Sequence, residues 1–476
     1  MKQRLEELMG GSRWAWIAFV VMALFIPISV RVFFLDVGTE VVLPVEPLVG
    51  ILSIGVLLKM LSAVRTEGWH ALVPQDAVSW LLFLHLSWSM LTALCSQDPL
   101  VSAKSMVVRT AYVLVFYVAI RELVMIGRAF FNRSMIAYGV GLSVVVLFVL
   151  VRCLDEGFTR NIAGYAPFPF YNDHTSYAAS LVFLAIYAWN ASLTQHGRKR
   201  KVLHYLLFSL FLLALLVSFS RAGWLSALVA LFLGVLITFR VRLARVAAAG
   251  AVLVAAVVMI LATRSPTDAD PVDSYSPDAG YRVSLVTMFD FSHDSSNKER
   301  LNRWKSALRM ARERPFLGYG PGTFQFFYIQ HQRSEDRTHY TVDSLVAMPY
   351  VTKTWSAGPD IFIRTNPQVL FMSGGTAHSE YLLVLSESGV IGLFLFGAFC
   401  IAVLWRGWTL RAQPLVVYSV LAFAAYAIHA LVNNFLDDPK IAFLFYGSAA
   451  VISAQDLAVH RRFGLKGLRS WFVQGA

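Results

Sequence analysis

The chain has 476 residues, of which 57% are hydrophobic and only 15% are charged, whereas an average soluble protein has roughly 25% charged residues. This composition argues against a soluble globular enzyme. The 14% aromatic content fits neither disorder nor a basic nucleic-acid-binding tail, although the net charge is +12. The cysteines lie in or beside apolar runs and lack the spacing of a disulfide framework, a redox pair or a zinc cluster: Cys95, Cys153 and Cys400. We therefore expect a polytopic membrane protein that binds no nucleic acid.

Twelve apolar runs each come close to the length of about 20 residues that a helix needs to cross a bilayer. The first run is too long for a signal-peptide core and has no small-residue cleavage site, so we interpret it as the first transmembrane helix. The sequence thus predicts an all-α polytopic membrane protein with about 12 transmembrane helices, near residues 14–33, 42–61, 77–95, 105–120, 134–151, 175–192, 203–219, 222–239, 246–263, 380–402, 414–432 and 441–458.

Lysine and arginine are concentrated in alternate connections, which the positive-inside rule places in the cytoplasm. They precede the first run and follow runs four, six, eight, ten and twelve, so both termini are expected on the cytoplasmic side. The opposite face receives short connections and one long loop. We accordingly divide the chain into nine transmembrane helices (residues 1–263), a large outer loop (264–377), and three further helices with a cytoplasmic tail (378–476).

The long loop is expected to be partly helical. Apolar side chains recur at helical spacing between residues 298 and 314, namely Leu301, Trp304, Leu308 and Ala311. Pro315 ends this helix, and a turn-rich segment, 318–322, follows it. Residues 328–366 mix aromatic, basic and small polar side chains, which suits either contact with sugars or a plain solvated loop.

Arg221 lies in a hinge between two apolar runs that is too short to be a loop. Its guanidinium is therefore expected at the outer membrane boundary. A charge at bilayer depth costs at least ~2.5–3.5 kcal/mol, which makes such a residue a functional candidate. The alternative is that the side chain snorkels to the lipid headgroups.

Arg300 and Arg303 lie almost one helical turn apart on the predicted loop helix and could form a paired cationic face. Arginine binds phosphate oxygens in a bidentate way and stays charged at every working pH, so converging arginines suit a diphosphate. The alternative is an ordinary solvated helix face, since Arg309, Arg312 and Arg314 follow on the same helix.

His378 lies where the long loop re-enters the membrane, at the start of the tenth run. A neutral imidazole there could accept a proton from an incoming hydroxyl, and its ordinary pKa of ~6.5 suits that role. The alternative is a histidine that caps the helix.

Other kinds of site have little support. Segment 318–322 lacks the Lys-Ser/Thr of a nucleotide-binding P-loop, and no two acidic residues are singled out as the opposed carboxylates of a glycoside hydrolase. His331 and His339 have no clustered carboxylates at ligand spacing. We therefore expect no metal and no cofactor.

Several short segments resemble the O-antigen ligase and polymerase superfamily. These are 220–224 (Ser-Arg-Ala-Gly-Trp), Arg300 with Trp304, 315–322 (Pro-Phe-Leu-Gly-Tyr-Gly-Pro-Gly), 378–382 (His-Ser-Glu-Tyr-Leu), 387–392 (Glu-Ser-Gly-Val-Ile-Gly) and 434–438 (Asn-Phe-Leu-Asp-Asp). Their order, their spacing and the long outer loop support the resemblance, which covers roughly residues 200–450. Ser379 departs from the pattern, because many relatives have asparagine after the histidine, and this leaves the sub-family open.

The resemblance implies a GT-C-like, metal-independent, inverting glycosyltransferase of the bacterial inner membrane. Such an enzyme takes a glycan from an undecaprenyl-diphosphate carrier on the periplasmic side. Carried over to this chain, Arg221 and Arg300 would hold the diphosphate and His378 would activate the acceptor hydroxyl. Further substrate-binding candidates are Arg303, Arg160, Arg109 and Glu380, of which the arginines also have plausible structural roles.

Three reactions fall within this superfamily: ligation of a glycan onto lipid A-core, polymerisation of repeat units on the carrier, and transfer to protein hydroxyls. We favour the ligase of lipopolysaccharide biosynthesis, because polymerases tend to have two large outer loops and this chain has one. A transporter or flippase would also be polytopic and basic. However, no inverted repeat with matching broken helices is visible in the sequence.

Overall fold

The computed structural model describes residues 12–34, 39–127, 129–238, 295–336 and 376–462. The N-terminal half contains α1 (Ser12–Ile28), β1 (Val30–Phe34), β2 (Thr39–Leu43), α2 (Val45–Glu67), α3 (Ala77–Leu94), α4 (Pro99–Tyr112), α5 (Ile120–Ile126), α6 (Ala129–Glu156), α7 (Arg160–Tyr165), α8 (His174–Thr194), α9 (Arg198–Val217) and α10 (Arg221–Thr238). A π-helix, Val113–Ala119, joins α4 to α5, and a 3₁₀ turn, Trp69–Leu72, follows α2.

The remaining elements include the described part of the long loop. They are α11 (Ser295–Glu313), α12 (Phe324–Phe327), the 3₁₀ turns Tyr328–His331 and Ser334–Asp336, α13 (Glu380–Thr409), α14 (Pro414–His429) and α15 (Pro439–Arg462). The predicted helix in the long loop is therefore present as α11, and it ends just before Pro315 as expected from the ring's conflict with helical backbone.

Seven of the described helices are long and apolar enough to cross a membrane: α2, α3, α6, α8, α9, α13 and α15. Three shorter apolar helices correspond to other predicted runs, at Trp16–Ile28, Arg221–Ile237 and Pro414–His429. The chain is thus a multi-pass membrane protein of nearly all-α structure, as predicted. The ninth predicted run, 246–263, lies outside the described residues, so the number of twelve spans stays a prediction.

One element was not predicted. The first helix was expected to continue to residue 33, but it ends at Ile28, directly after Pro27. β1 and β2 then form an antiparallel hairpin in which Val30 pairs with Leu43 and Val32 with Val41. The β-branched residues of this segment favour a strand over a helix. The prediction of an all-α protein therefore holds for the helical bundle but not for the connection between α1 and α2.

The bundle core is built around α8, α14 and α15, whose residues are mostly buried. Large aromatic side chains fill the space between these helices, including Tyr177, Phe183, Tyr418, Tyr426 and Phe445. Outer helices expose apolar side chains instead, for example Ile51, Ile54 and Leu58 on α2. In a lipid solvent such exposure carries no hydrophobic penalty, so close packing holds the bundle together.

Helix α13 is broken at Gly389, where the backbone has φ 68° and ψ −173°, whereas the sequence predicts one continuous helix for the tenth span. The turn that follows α11 docks into this break: Val390 N donates to Pro315 O at 2.8 Å, and Tyr319 N donates to Ser386 O at 3.0 Å. A side chain on Gly389 would collide with Phe316 O, 2.1 Å from the Cβ position. The glycine and the break therefore fix α11 rigidly against a membrane-spanning helix.

Candidate functional site

Arg221 is the first residue of α10, directly after a tight reversal from α9. Ser220 caps the new helix, since its Oγ accepts a hydrogen bond from Gly223 N at 3.2 Å. Phe219 has a φ of 52°, a left-handed conformation that is costly for a bulky residue. The turn therefore presents Arg221 at a fixed position at one end of two neighbouring spans.

Asn297 brings Arg221 and Arg300 together. Its Oδ1 accepts a hydrogen bond from Arg300 Nη1 at 3.2 Å and another from Arg221 Nη2 at 3.4 Å. Arg300 Nη1 also donates to Ser296 Oγ at 3.1 Å. An amide oxygen orients both guanidinium groups without adding a negative charge that would cancel theirs. Two arginines from segments far apart in sequence thus meet at one point, as the diphosphate hypothesis requires.

Arg303 has different partners from Arg300, so the two do not form the paired face that their spacing suggested. Its Nε forms an ion pair with Glu299 Oε1 at 2.8 Å, and its Nη1 donates to Thr376 O at 2.9 Å. The guanidinium also lies over the ring of Tyr328, 5.6 Å from the centroid. Arg303 therefore braces the segment that leads into His378.

His378 lies two residues before α13 and has a φ of 48°. Its carbonyl accepts a hydrogen bond from Trp304 Nε1 at 3.1 Å, which ties it to the helix that carries Arg300. Burial and the neighbouring charges of Arg303 and Arg300 hold the pKa of the His378 imidazole well below its ordinary value. The side chain is thus neutral at physiological pH, which is the form that can accept a proton.

The alternative reading of His378 as a helix cap does not apply. Ser379 is the N-cap of α13, and its side chain accepts a hydrogen bond from Leu382 N at 3.4 Å. Serine is a preferred N-cap residue, because its short side chain reaches the free amides of the first turn. The departure from asparagine at this position therefore keeps a capping function.

Arg160 belongs to the same end of the bundle. It is the first residue of α7, which Thr159 caps through a 3.4 Å hydrogen bond to Ile162 N. His174, the first residue of α8, lies within electrostatic range of Asp173 and of Arg160, Arg300 and Arg221. Three of the predicted arginines therefore act electrostatically on one histidine that sequence reasoning did not single out.

Arg109 is partnered by carboxylates. Its Nη2 lies 3.7 Å from Glu387 Oε2 and 3.5 Å from Asp437 Oδ1. Since these acids offset its charge, Arg109 is better placed to hold the broken helix and the α14–α15 turn together than to bind an anion directly.

Glu380 is also committed to internal contacts. Its Oε2 accepts hydrogen bonds from Tyr426 OH and from Phe435 N, both at 3.2 Å. The carboxylate therefore fixes the start of α13 against the turn between α14 and α15, two residues from His378.

The functional residue that sequence reasoning missed most clearly is Asn297. It precedes Arg300 by three positions, a spacing that places both on one face of a helix. That signal was available in the sequence, but its partner Arg221 lies 76 residues away and only the fold reveals the contact. Among the residues that the structure describes, no three His, Cys, Asp or Glu side chains come together as a possible metal site.

A family model described as O-antigen ligase matches residues 206–347. Over this stretch the chain is therefore similar to the O-antigen ligase family. The matched stretch includes Arg221, Arg300 and Arg303, and it confirms the resemblance to the ligase and polymerase superfamily. His378 lies beyond the matched residues. No curated protein matches the chain.

Proposed function

We propose that this protein is an inverting glycosyltransferase that moves a glycan from an undecaprenyl-diphosphate carrier to a sugar hydroxyl of lipid A-core. It would thus act as the O-antigen ligase of lipopolysaccharide biosynthesis. The observation that carries the proposal is the meeting of Arg221 and Arg300 on Asn297, with His378 tied to the same helix through Trp304. The family match over residues 206–347 supports the reaction class.

In this proposal Arg221 and Arg300 bind the diphosphate of the carrier. The bond between the anomeric carbon and the diphosphate oxygen breaks during transfer, and its electron pair leaves with the diphosphate. Fixed guanidinium groups stabilise that developing charge without reorganising, and this kind of electrostatic stabilisation is a large contribution to catalysis. The arginines would thereby replace the metal ion that many diphosphate-leaving reactions use, which makes the proposed reaction metal-independent.

His378 is the proposed general base. Its neutral imidazole takes the proton of the acceptor hydroxyl while that oxygen attacks the anomeric carbon from the face opposite the diphosphate, which inverts the configuration. The left-handed backbone of His378 and its carbonyl contact with Trp304 fix the backbone of the base relative to the helix that carries Arg300. Positioning of this kind matters because a displacement of about 1 Å can cost ~10²-fold in rate.

The proposed site lies at the periplasmic face of the bacterial inner membrane. This placement rests on the lysine and arginine asymmetry of the connections, which puts the long loop and His378 on the side opposite the basic segments. The donor and the acceptor are both anchored in lipid. A site at the ends of membrane-spanning helices, beside α11, allows each to arrive by lateral diffusion among the membrane lipids.

Reconstitution tests the proposal. Purified protein in lipid vesicles is supplied with carrier-linked glycan and with lipid A-core, with donor alone, or with a Ser/Thr acceptor peptide. We expect glycan on lipid A-core only. Lengthened chains on the carrier with donor alone would identify a polymerase, and a labelled peptide would identify a protein O-oligosaccharyltransferase. Movement of the donor across the vesicle membrane without transfer would identify a transporter or flippase.

A further inference from the structure

The turn between α14 and α15 carries buried polar atoms that the fold itself does not use. Three side chains of residues 429–434 are involved: His429 and Asn433, each 2% exposed, and Asn434, 8% exposed. Among the residues that the structure describes, neither ring nitrogen of His429 has a hydrogen-bond partner, and the same holds for Asn433 Nδ2 and Asn434 Oδ1. Because more than about 90% of buried polar groups in proteins are paired, several exceptions in one short turn indicate a binding surface.

The 429–434 turn lies beside the proposed base. Glu380 N donates to Ala430 O at 2.9 Å and to Asn433 O at 3.2 Å, so the turn contacts the chain two residues after His378. His429 also lies within electrostatic range of Asp173 and Arg300. The turn therefore contacts the segment that carries the proposed base, and one of the proposed diphosphate-binding arginines acts electrostatically on it.

The chemistry of these atoms favours hydroxyl groups over phosphate. Imidazole and carboxamide groups can both donate and accept hydrogen bonds, as sugar hydroxyls do. Phosphate oxygens only accept, and the unpartnered Asn434 Oδ1 is itself an acceptor that would repel them. The ring of Phe435, whose centroid is 5.7 Å from that of His429, adds an apolar surface of the kind on which the CH face of a sugar can pack.

We infer that His429, Asn433 and Asn434 bind the hydroxyl groups of the sugar attached directly to the diphosphate of the donor. This inference rests on the proposed function. In that reaction the first donor sugar must reach from the leaving diphosphate, held by Arg300, to the hydroxyl activated by His378. The 429–434 turn contacts the segment that carries His378 and lies within electrostatic range of Arg300, whereas the acceptor sugar has to approach only His378.

Two probes separate sugar binding from diphosphate binding. Affinities of the full-length protein in nanodiscs are measured for farnesyl diphosphate and for farnesyl diphosphate bearing N-acetylglucosamine. We expect His429→Ala, Asn433→Ala and Asn434→Ala each to weaken binding of the sugar-bearing probe about tenfold, the usual order for losing a buried hydrogen bond to substrate. Binding of bare farnesyl diphosphate should be unchanged. Arg300→Ala should weaken both probes.

Gln413 provides a matched control. It is the N-cap residue at the other end of α14, and its buried Oε1 likewise has no hydrogen-bond partner among the described residues. Gln413→Ala should therefore leave the affinity for both probes at the wild-type value. His429→Gln, which keeps hydrogen-bonding capacity in a similar volume, should recover part of the binding lost in His429→Ala and guards against a variant that fails to fold.

The inference and the proposed function fail in different ways. Wild-type affinity of the three alanine variants for the sugar-bearing probe would refute the inference, and so would an equal loss for both probes. In the transfer assay, a rise in KM for lipid A-core with an unchanged KM for the donor would also refute it, because the turn would then hold the acceptor sugar. Failure of the wild-type protein to bind either probe would instead refute the proposed diphosphate site itself.

Discussion

Asn297 offers a sharp test of the arginine pair, because its side chain contacts both guanidinium groups and carries no charge of its own. Its Oδ1 accepts one hydrogen bond from each guanidinium, at 3.2 and 3.4 Å. Both distances exceed the ~2.7–2.9 Å typical of strong charge-assisted hydrogen bonds. Each contact is therefore expected in the lower half of the usual range, about 0.5–1 kcal/mol. Losing both in Asn297→Ala should cost about 1–2 kcal/mol, or roughly 5- to 30-fold in kcat/KM.

Asn297→Asp should be worse than Asn297→Ala. Aspartate keeps the size of the side chain and can accept the same hydrogen bonds, but it adds a negative charge between the two guanidinium groups. A unit charge about 4 Å away amounts to about 4 kcal/mol at an effective dielectric constant of 20. The carboxylate would compete with the diphosphate for both arginines, so donor binding should fall most in this variant.

The assay is glycan transfer by purified protein at saturating acceptor, with the donor concentration varied. Asn190→Ala is the control, because Asn190 donates a comparable 3.0 Å hydrogen bond to Pro414 O far from the arginines in the fold. Activity should follow the order wild type, Asn297→Ala, Asn297→Asp. If Asn297→Asp equalled or exceeded Asn297→Ala in kcat/KM, the two arginines would not be binding an anionic part of the donor.

Three further predictions follow from the site. His378→Ala should lower kcat by about 10²- to 10⁴-fold, while immunoblots should show that the protein is still inserted and abundant. A wild-type kcat in this variant would show that His378 is not the general base. Arg221→Ala and Arg300→Ala should each strongly reduce the rate of glycan transfer. Arg221→Lys and Arg300→Lys should restore it only in part, since an ammonium group lacks the two parallel N–H donors of a guanidinium group. EDTA should have no effect, and inhibition reversed by Mg²⁺ would instead indicate a metal-held diphosphate. In spheroplasts, a cysteine at Glu335, whose side chain is 68% exposed, should react with an impermeant maleimide and one at His196 should not. The opposite labelling pattern would show that the topology is inverted.

The sequence predicted those features that depend on local composition. Apolar runs of about 20 residues located the spanning helices, because every such helix must satisfy its own backbone within the bilayer. The spacing of Leu301, Trp304, Leu308 and Ala311 located α11, and Pro315 marked its end. The β1–β2 hairpin was missed, since an apolar run does not distinguish a helix from a short strand when β-branched residues follow a proline.

Contacts between distant segments could not be predicted in this way. Arg300 and Arg303 looked equivalent on one helix, yet Arg300 turns to Asn297 and Arg303 turns to Glu299 and Thr376. The break at Gly389 depends on the turn at Pro315 docking into it, and the two segments lie more than 70 residues apart. Tertiary packing decides which partner each arginine has and where the helix breaks. The spacing of residues along a helix does not reveal that packing.

The pH dependence of transfer tests the electrostatic surroundings of His378. Burial, Arg303 and Arg300 all disfavour the protonated imidazole, so its pKa lies well below the ordinary value. The neutral base is then fully present at pH 6.5, and kcat/KM should begin to fall only at more acidic pH, on the acid limb of the pH profile.

Removing a neighbouring positive charge makes protonation of His378 easier, so Arg303→Gln should move this acid limb to higher pH. Arg303→Lys keeps the charge and should retain the wild-type limb. Lys305→Gln is the control, because Lys305 lies on the same helix but pairs with Asp336. If the wild-type limb lay at pH 6.5, or if Arg303→Gln moved it to lower pH, the group that titrates would not be the buried His378.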